Sequence, residues 1–169
     1  MADGFRIVLR SAALQKQLAE ALRRNPRETT RAVTDCVLHL AGESAVLAPV
    51  ESGDLRSDCK AVVNGTLLYD GLPKSEDPTG KAHGNGYTGA SPTPTVSPLG
   101  KVSYSLPYTI PQHEDLTLRH DRADGYVRAD GSSVNRVPGG QAKYLQQPFE
   151  QNEARYIQRF ARIPSEVIQ

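Results

Sequence analysis

"APVESGDLRSD", Ala48 to Asp58, is where the chain passes from helical to strand periodicity, and its residue types say how the passage is made. Pro49 disfavours helical geometry in the residue before it, so a helix has to stop near Ala48. Gly53 can take the positive φ that a sharp reversal needs. Leu55 is placed to drop into a core. Glu51 and Asp54 offer carboxylates that can accept backbone N–H groups in the turn. Arg56 is either solvated or paired across an interface. Pro49, Gly53 and Leu55 are therefore the expected determinants of a turn joining helix to sheet.

Upstream of this turn the chain reads helical. Leu14, Leu18, Ala21 and Leu22 recur at the helical period. "NPRE" then restarts the pattern, with Asn25 as N-cap, Pro26 at the first helical position and Glu28 at the third. Val33, Val37, Leu40, Ser44 and Leu47 form one stripe behind it, with Cys36 and Ala41 beside the stripe. Cys36 reads as a small core residue rather than a reactive thiol.

Downstream the period changes. "CKAVVN" and "TLLYD" are rich in strand formers, and Gly65 separates them, so they pair as a hairpin or run on with a bulge. Gly71 to Pro98 carries Pro73, Pro78, Pro92, Pro94 and Pro98 among glycines and small polar residues. Such a stretch cannot bury enough apolar surface to fold alone and reads as a long mobile insertion, at about 71–98. "KVSYSLPYTI" resumes the alternation, placing Val102, Tyr104 and Leu106 on one face. A second polar loop, at about 121–138, precedes a last helix in which Pro148 suits the first turn. Phe149, Ala154, Ile157, Phe160 and Ala161 recur there near the helical period, and Pro164 ends it. The fold class is α+β: a mainly antiparallel sheet with a long N-terminal helix and a C-terminal helix on one face, all in a single domain spanning 1–169.

Composition narrows the function. The 169 residues hold 20 Lys and Arg against 19 Asp and Glu, a net charge of +1 that gives no general reason to expect tight nucleic-acid binding. Arg23, Arg24, Arg27 and Arg31 make one basic stretch, but Glu20 and Glu28 interrupt it, the pattern of a mixed-charge helix face. Cys36 and Cys59 stand far apart with no CxxC partner, against a zinc site or a disulfide framework. "MADGFRIVLRSAALQKQ" has no apolar stretch of the signal-peptide kind, and no run reaches the length of a membrane span. A protein made in a reducing cytoplasm, with no membrane partner, is the expectation.

Two glycine-rich motifs fail on context. Gly84, Gly86 and Gly89 have GxGxxG spacing, but "ASPTPTVSP" follows where a dinucleotide site needs a helix. "SEDPTGKA" resembles a phosphate loop around Gly80-Lys81, yet Ser75 replaces its first glycine and Ala82 its Ser/Thr. The chemically richest stretch is "YTIPQHEDLTLRH", Tyr108 to His120, with His113, Glu114, Asp115 and His120. A metal-dependent hydrolase built on these four is one reading. The two histidines are seven apart rather than four, Pro111 breaks a helix leading in, and His39 or His83 would have to supply a third fixed ligand. The other reading is a polar strand edge used in subunit contact, with Tyr108, His113 and Glu114, together with Arg56, as candidate contacts. No nucleophile elbow or local cysteine signature appears, so no enzyme, no catalytic set and no cofactor is expected.

Ala48, Pro49, Val50, Glu51, Ser52, Gly53, Leu55, Arg56 and Ser57 together resemble the signature turn of the phage head–tail joining proteins, with Glu51-Ser52 where that family more often has Asp-Thr. Pro107-Tyr108, Gln112-His113-Glu114 and Ala142-Lys143-Tyr144-Leu145 with Pro148 fit the same family plan. The likeness spans most of the chain in order, excluding 71–98 and 121–137. It implies a structural virion protein of the phage neck or minor capsid, a tail-completion or connector component. Such proteins form homo-oligomeric rings, typically hexamers or dodecamers, around the genome channel. Other neck, head-completion and tail proteins are the implied partners, and genomic DNA would pass the lumen without specific binding.

Overall fold

The computed structural model describes residues 11–50, 52–95, 97–117, 126–127, 133–134 and 140–164. Glu51, His120 and most of 121–138 lie outside the described residues. The order is α1 (Ala12–Arg24), α2 (Pro26–Leu47), the single turn α3 (Asp54–Ser57), β1 (Lys60–Val63), β2 (Thr66–Asp70), β3 (Gly86–Tyr87), β4 (Gly100–Ser103), α4 (Thr109–Glu114), β5 (Tyr126–Val127), β6 (Ser133–Val134) and α5 (Gln146–Ala161). β3-β2-β1-β4 form one antiparallel sheet, and β5 pairs with β6 in a separate two-stranded one. The fold is α+β.

The helix bounds follow from the capping chemistry. The Ser11 hydroxyl accepts the Leu14 N–H at 3.1 Å and starts α1. Asn25 ends α1 and caps α2, its side chain accepting the Glu28 N–H at 3.1 Å, with Pro26 at the first helical position. Ala48 closes α2 in extended geometry, as Pro49 requires. α2 is the central element. It packs on β1, β2 and β4 and also on α1 and α5. Its buried residues divide along its length: Ala41, Ala45 and Ala48 at its C-terminal end join the cluster of Cys59, Ala61, Tyr69 and Tyr104, whereas Ala32 and Val33 nearer its start join that of Ala21, Val63, Leu68, Phe160 and Ile163. Small residues let the sheet come close: a Cβ on Gly100 would sit 2.3 Å from Val37 Cγ2.

β1 and β2 form the hairpin, and its two-residue loop uses positive φ at both Asn64 (51°) and Gly65 (81°), the combination that suits strand twist. Of the two alternatives for this segment the hairpin is the one formed; the bulge it carries is a register shift within β1, between Ala61 and Val62. Val102, Tyr104 and Leu106 face the core as their alternation predicts. In α5 the buried positions are Pro148, Tyr156 and Phe160, while Ala154 and Ala161 are exposed, so the stripe is rotated from the expected one. Tyr156 takes the inward place because its hydroxyl finds His39 Nδ1 at 3.0 Å.

The expected insertion is not external to the core. Leu72 and Ala82 are 1% exposed and belong to the main cluster, and Gly86–Tyr87 pairs with β2. A few apolar residues and several backbone hydrogen bonds, including Gly84 N–H to Leu72 C=O at 2.9 Å and Gly86 N–H to Gly71 C=O at 3.0 Å, fix what composition alone could not.

Candidate functional site

The turn at Ala48–Asp58 is the hub of the molecule. Gly53 has φ 93°, as a reversal there demands, and Leu55 is buried in the main core cluster. Arg56 is 1% exposed. It is neither solvated nor at an interface: its Nε–H donates to Ala48 C=O at 2.9 Å, and Nη1 meets Asp77 Oδ1 at 2.5 Å. Asp77 comes from the insertion, and the carboxylate collects the Thr79 N–H (3.1 Å), the Thr79 hydroxyl (2.6 Å), and the Lys81 (2.9 Å) and Ala82 (2.8 Å) N–H groups. Burial alone would raise the Asp77 carboxyl. The Thr79 hydroxyl and the Ala82, Thr79 and Lys81 amides outweigh it and hold Asp77 far below the usual carboxylate range. The stretch that resembles a phosphate loop is thus a nest of N–H groups already filled by the chain's own carboxylate.

The stretch from Tyr108 is a helix, α4, rather than a strand edge. Pro111 sits within its first turn, where its missing N–H has no partner to lose. His113 therefore points inward and is 1% exposed, which corrects its reading as a surface contact. Its Nε2 accepts the Gln146 N–H at 3.4 Å, so Nδ1 carries the proton and donates to Glu114 Oε1 at 2.6 Å. Burial lowers the His113 pKa, opposed in part by Glu114. Glu114 is half-exposed and its other oxygen pairs with Lys143 Nζ; these two contacts lower its pKa. The His113 ring stands edge-on to Tyr144 (4.9 Å between centroids), and Tyr144 likewise to Tyr104 (5.1 Å). The Tyr104 hydroxyl shares a 2.7 Å hydrogen bond with Ser44 on α2. A recess bounded by Tyr104, Thr109, His113 and Tyr144 has a volume of about 10 Å³, room for one water rather than a substrate.

The three described residues of the metal reading, His113, Glu114 and Asp115, do not converge as a ligand set. Both ring nitrogens of His113 have protein partners, Asp115 lies at the exposed helix end, and His120 lies outside the described residues. His39 is also committed, with Tyr156 on Nδ1 and Arg155 Nη1 donating to Nε2 at 2.7 Å. Exposed His83 reaches Asp54 at 3.5 Å. Among the described residues no three His, Cys, Asp or Glu side chains gather as an ion would need. Burial pushes both Cys36 and Cys59 up to about 12, so neither is a thiolate nucleophile near neutral pH. No helix among the described residues is long and apolar enough to cross a membrane.

The accessible side of α4 holds the remaining contact candidates. Tyr108 is 40% exposed, and Ile110 and Leu116, which sequence reasoning did not single out, are exposed beside it. The signal for Ile110 was present, since a six-residue helix with His113 and Thr109 inward must turn its neighbours outward.

No family model, no curated protein and no solved structure matches this chain.

Proposed function

We propose that this chain is a structural ring component of the neck of a long-tailed phage, acting at the head–tail junction and carrying out no turnover. One observation supports the reading above others: the segments that carry the resemblance, far apart in sequence, pack on one another. Gln141 N–H bonds Leu47 C=O at 3.0 Å at the end of α2, where Gly140 lies against Pro49. Lys143 N–H bonds His113 C=O at 2.8 Å, joining the approach to α5 to α4. Ser105 and Leu106 N–H groups bond Asp58 Oδ2, joining the approach to α4 to the turn. A turn, a short helix and a helix start resembling one family thus form one physical unit.

A cyclic ring uses two different patches per subunit, each meeting the other on its neighbour. β3 and β4 are the two edges of the sheet, and the exposed Tyr108, Ile110 and Leu116 follow β4. Contacts of modest area hold when a preassembled ring raises their effective concentration, so a monomer in free solution is compatible with this role.

The test is genetic. Phage lacking this chain should accumulate DNA-filled heads and complete tails that are not joined, seen by electron microscopy, and wild-type chain supplied in trans should join them. Ile110→Glu with Leu116→Glu should fold but fail to complement. Normally joined particles in the deletion, or an arrest before heads form, would overturn the proposal.

A further inference from the structure

The helix ends that meet at the α1–α2 junction bring together charges that the chain as a whole balances. Arg24 Nη1 reaches Ala161 C=O at 3.5 Å, which sets the end of α5, with Arg162, beside Arg23, Arg24, Arg27 and Arg31. Five arginines stand there against two carboxylates, Glu20 and Glu28. Arg23, Arg27, Arg31 and Arg162 are all exposed.

Much of this has a local explanation. Arg23 and Arg24 lie in the last turn of α1 and Arg162 closes α5, where cations complement the helix dipole. Arg31 is 3.8 Å from Glu28. Arg27 is the residue the fold does not ask for. It occupies the second position of α2, where the dipole disfavours a cation. It also precedes Arg31 by one turn, a like-charge spacing that costs helix stability. Among the described residues no carboxylate pairs with Arg23, Arg27 or Arg162. A mixed-charge face covers Arg31 but not these. Positive charge kept against local preference, on a chain of net charge +1, marks a site that meets an anion.

We infer that this arginine end contacts the phosphate backbone of double-stranded DNA without reading its sequence. Among the described residues the large exposed apolar side chains are elsewhere, on α2 beyond this end (Val46), on the sheet (Leu67, Tyr87, Leu99) and around α4. Among those residues this end therefore presents no exposed aromatic ring for stacking on unpaired bases, which favours duplex over single strands. The choice of DNA as the polyanion rests on the neck reading, in which the genome passes each subunit of a ring. Contacts of this kind are weak singly and additive around a ring, so they guide a moving duplex without arresting it.

The test is binding of the purified full chain to a fluorescent 30-base-pair duplex across a salt series, with poly-glutamate as competitor. Two unrelated duplex sequences should bind alike, with log K falling against log salt at a slope of about −3 to −5. Arg23→Gln with Arg27→Gln and Arg162→Gln should make that slope shallower by about 3, and Arg27→Gln alone by about 1. Circular dichroism should show all variants folded, and Arg27→Gln alone keeps the test valid if the triple variant is not. An absent interaction, a slope unchanged in Arg27→Gln, or poly-glutamate competing as well as unlabelled duplex would each overturn the inference, the last by pointing to non-specific or protein-directed charge. Each of these can occur with head–tail joining still dependent on the chain, so the inference can fail while the neck reading stands.

Discussion

Replacing Gly53 by alanine tests whether the turn and the insertion are one packed unit. The backbone there has φ 93°, and a Cβ would stand 2.2 Å from Lys81 O, 2.4 Å from Lys81 C and 2.8 Å from Ala82 N. Two costs add. Left-handed geometry costs a non-glycine residue about 1–2 kcal/mol. Forcing backbone apart in a packed site costs about 1–3 kcal/mol more. Gly65 separates them, because its φ is 81° but nothing lies within 4 Å of its Cβ position. Gly65→Ala should therefore lose about 1–2 kcal/mol, and Gly53→Ala about 2–5 kcal/mol. At about 2–4 °C per kcal/mol for a chain of this size, the extra clash should make the Gly53 variant melt roughly 2–12 °C below the Gly65 variant. Thermal unfolding followed by circular dichroism at pH 7 reads both. Lys81 and Ala82 donate to Asp77, so the Gly53 effect should also be non-additive with Asp77→Asn. If Gly53→Ala and Gly65→Ala melt together, the insertion does not rest on the turn.

Arg56→Met should cost about 3–5 kcal/mol in urea unfolding by stranding Asp77 without its cation, and Arg56→Met with Asp77→Leu should cost less than the single change; a double variant worse than the single one would refute the pairing argument. Stability should also fall as pH drops below about 6.5, because the unfolded chain takes up a proton there that neutral, buried His113 refuses until a lower pH. His113→Asn should be less stable but show a flatter pH dependence across that window, and an unchanged slope would assign the effect elsewhere.

Helix ends were legible because their signals are local: Asn25-Pro26 starts α2 and Pro49 stops it, whatever the rest of the chain does. The turn at Gly53 was legible for the same reason. The fate of Arg56 was not, since a lone arginine before a strand looks identical whether its partner is water or a carboxylate 21 residues on. A signal did exist in "EDPTGKA": an Asp followed by Pro-x-Gly accepts N–H groups from the residues after it. The same residues resemble a site for a foreign anion, but the anion they hold is the Asp77 carboxylate. α4 escaped because six residues are too few to show a period, and because a proline in a first turn looks like a breaker. The rotated face of α5 turned on Tyr156, a residue whose ring is apolar and whose hydroxyl needs a partner, so pattern alone could not place it.

The pairing of β1 has a consequence for synthesis. Its neighbour β2 follows after two residues, so the hairpin can close in microseconds once both strands have left the ribosome. Its other neighbour, β4, pairs Lys60 with Ser103 and Val63 with Gly100, and is translated only after the whole insertion. For that interval β1 presents an open edge beside other growing chains, the condition under which strands recruit the wrong partner. The order of translation, rather than the final stability, then sets how much chain survives to assemble. Slowing elongation between Asp70 and Gly100 should lower the soluble yield without changing the protein that is recovered.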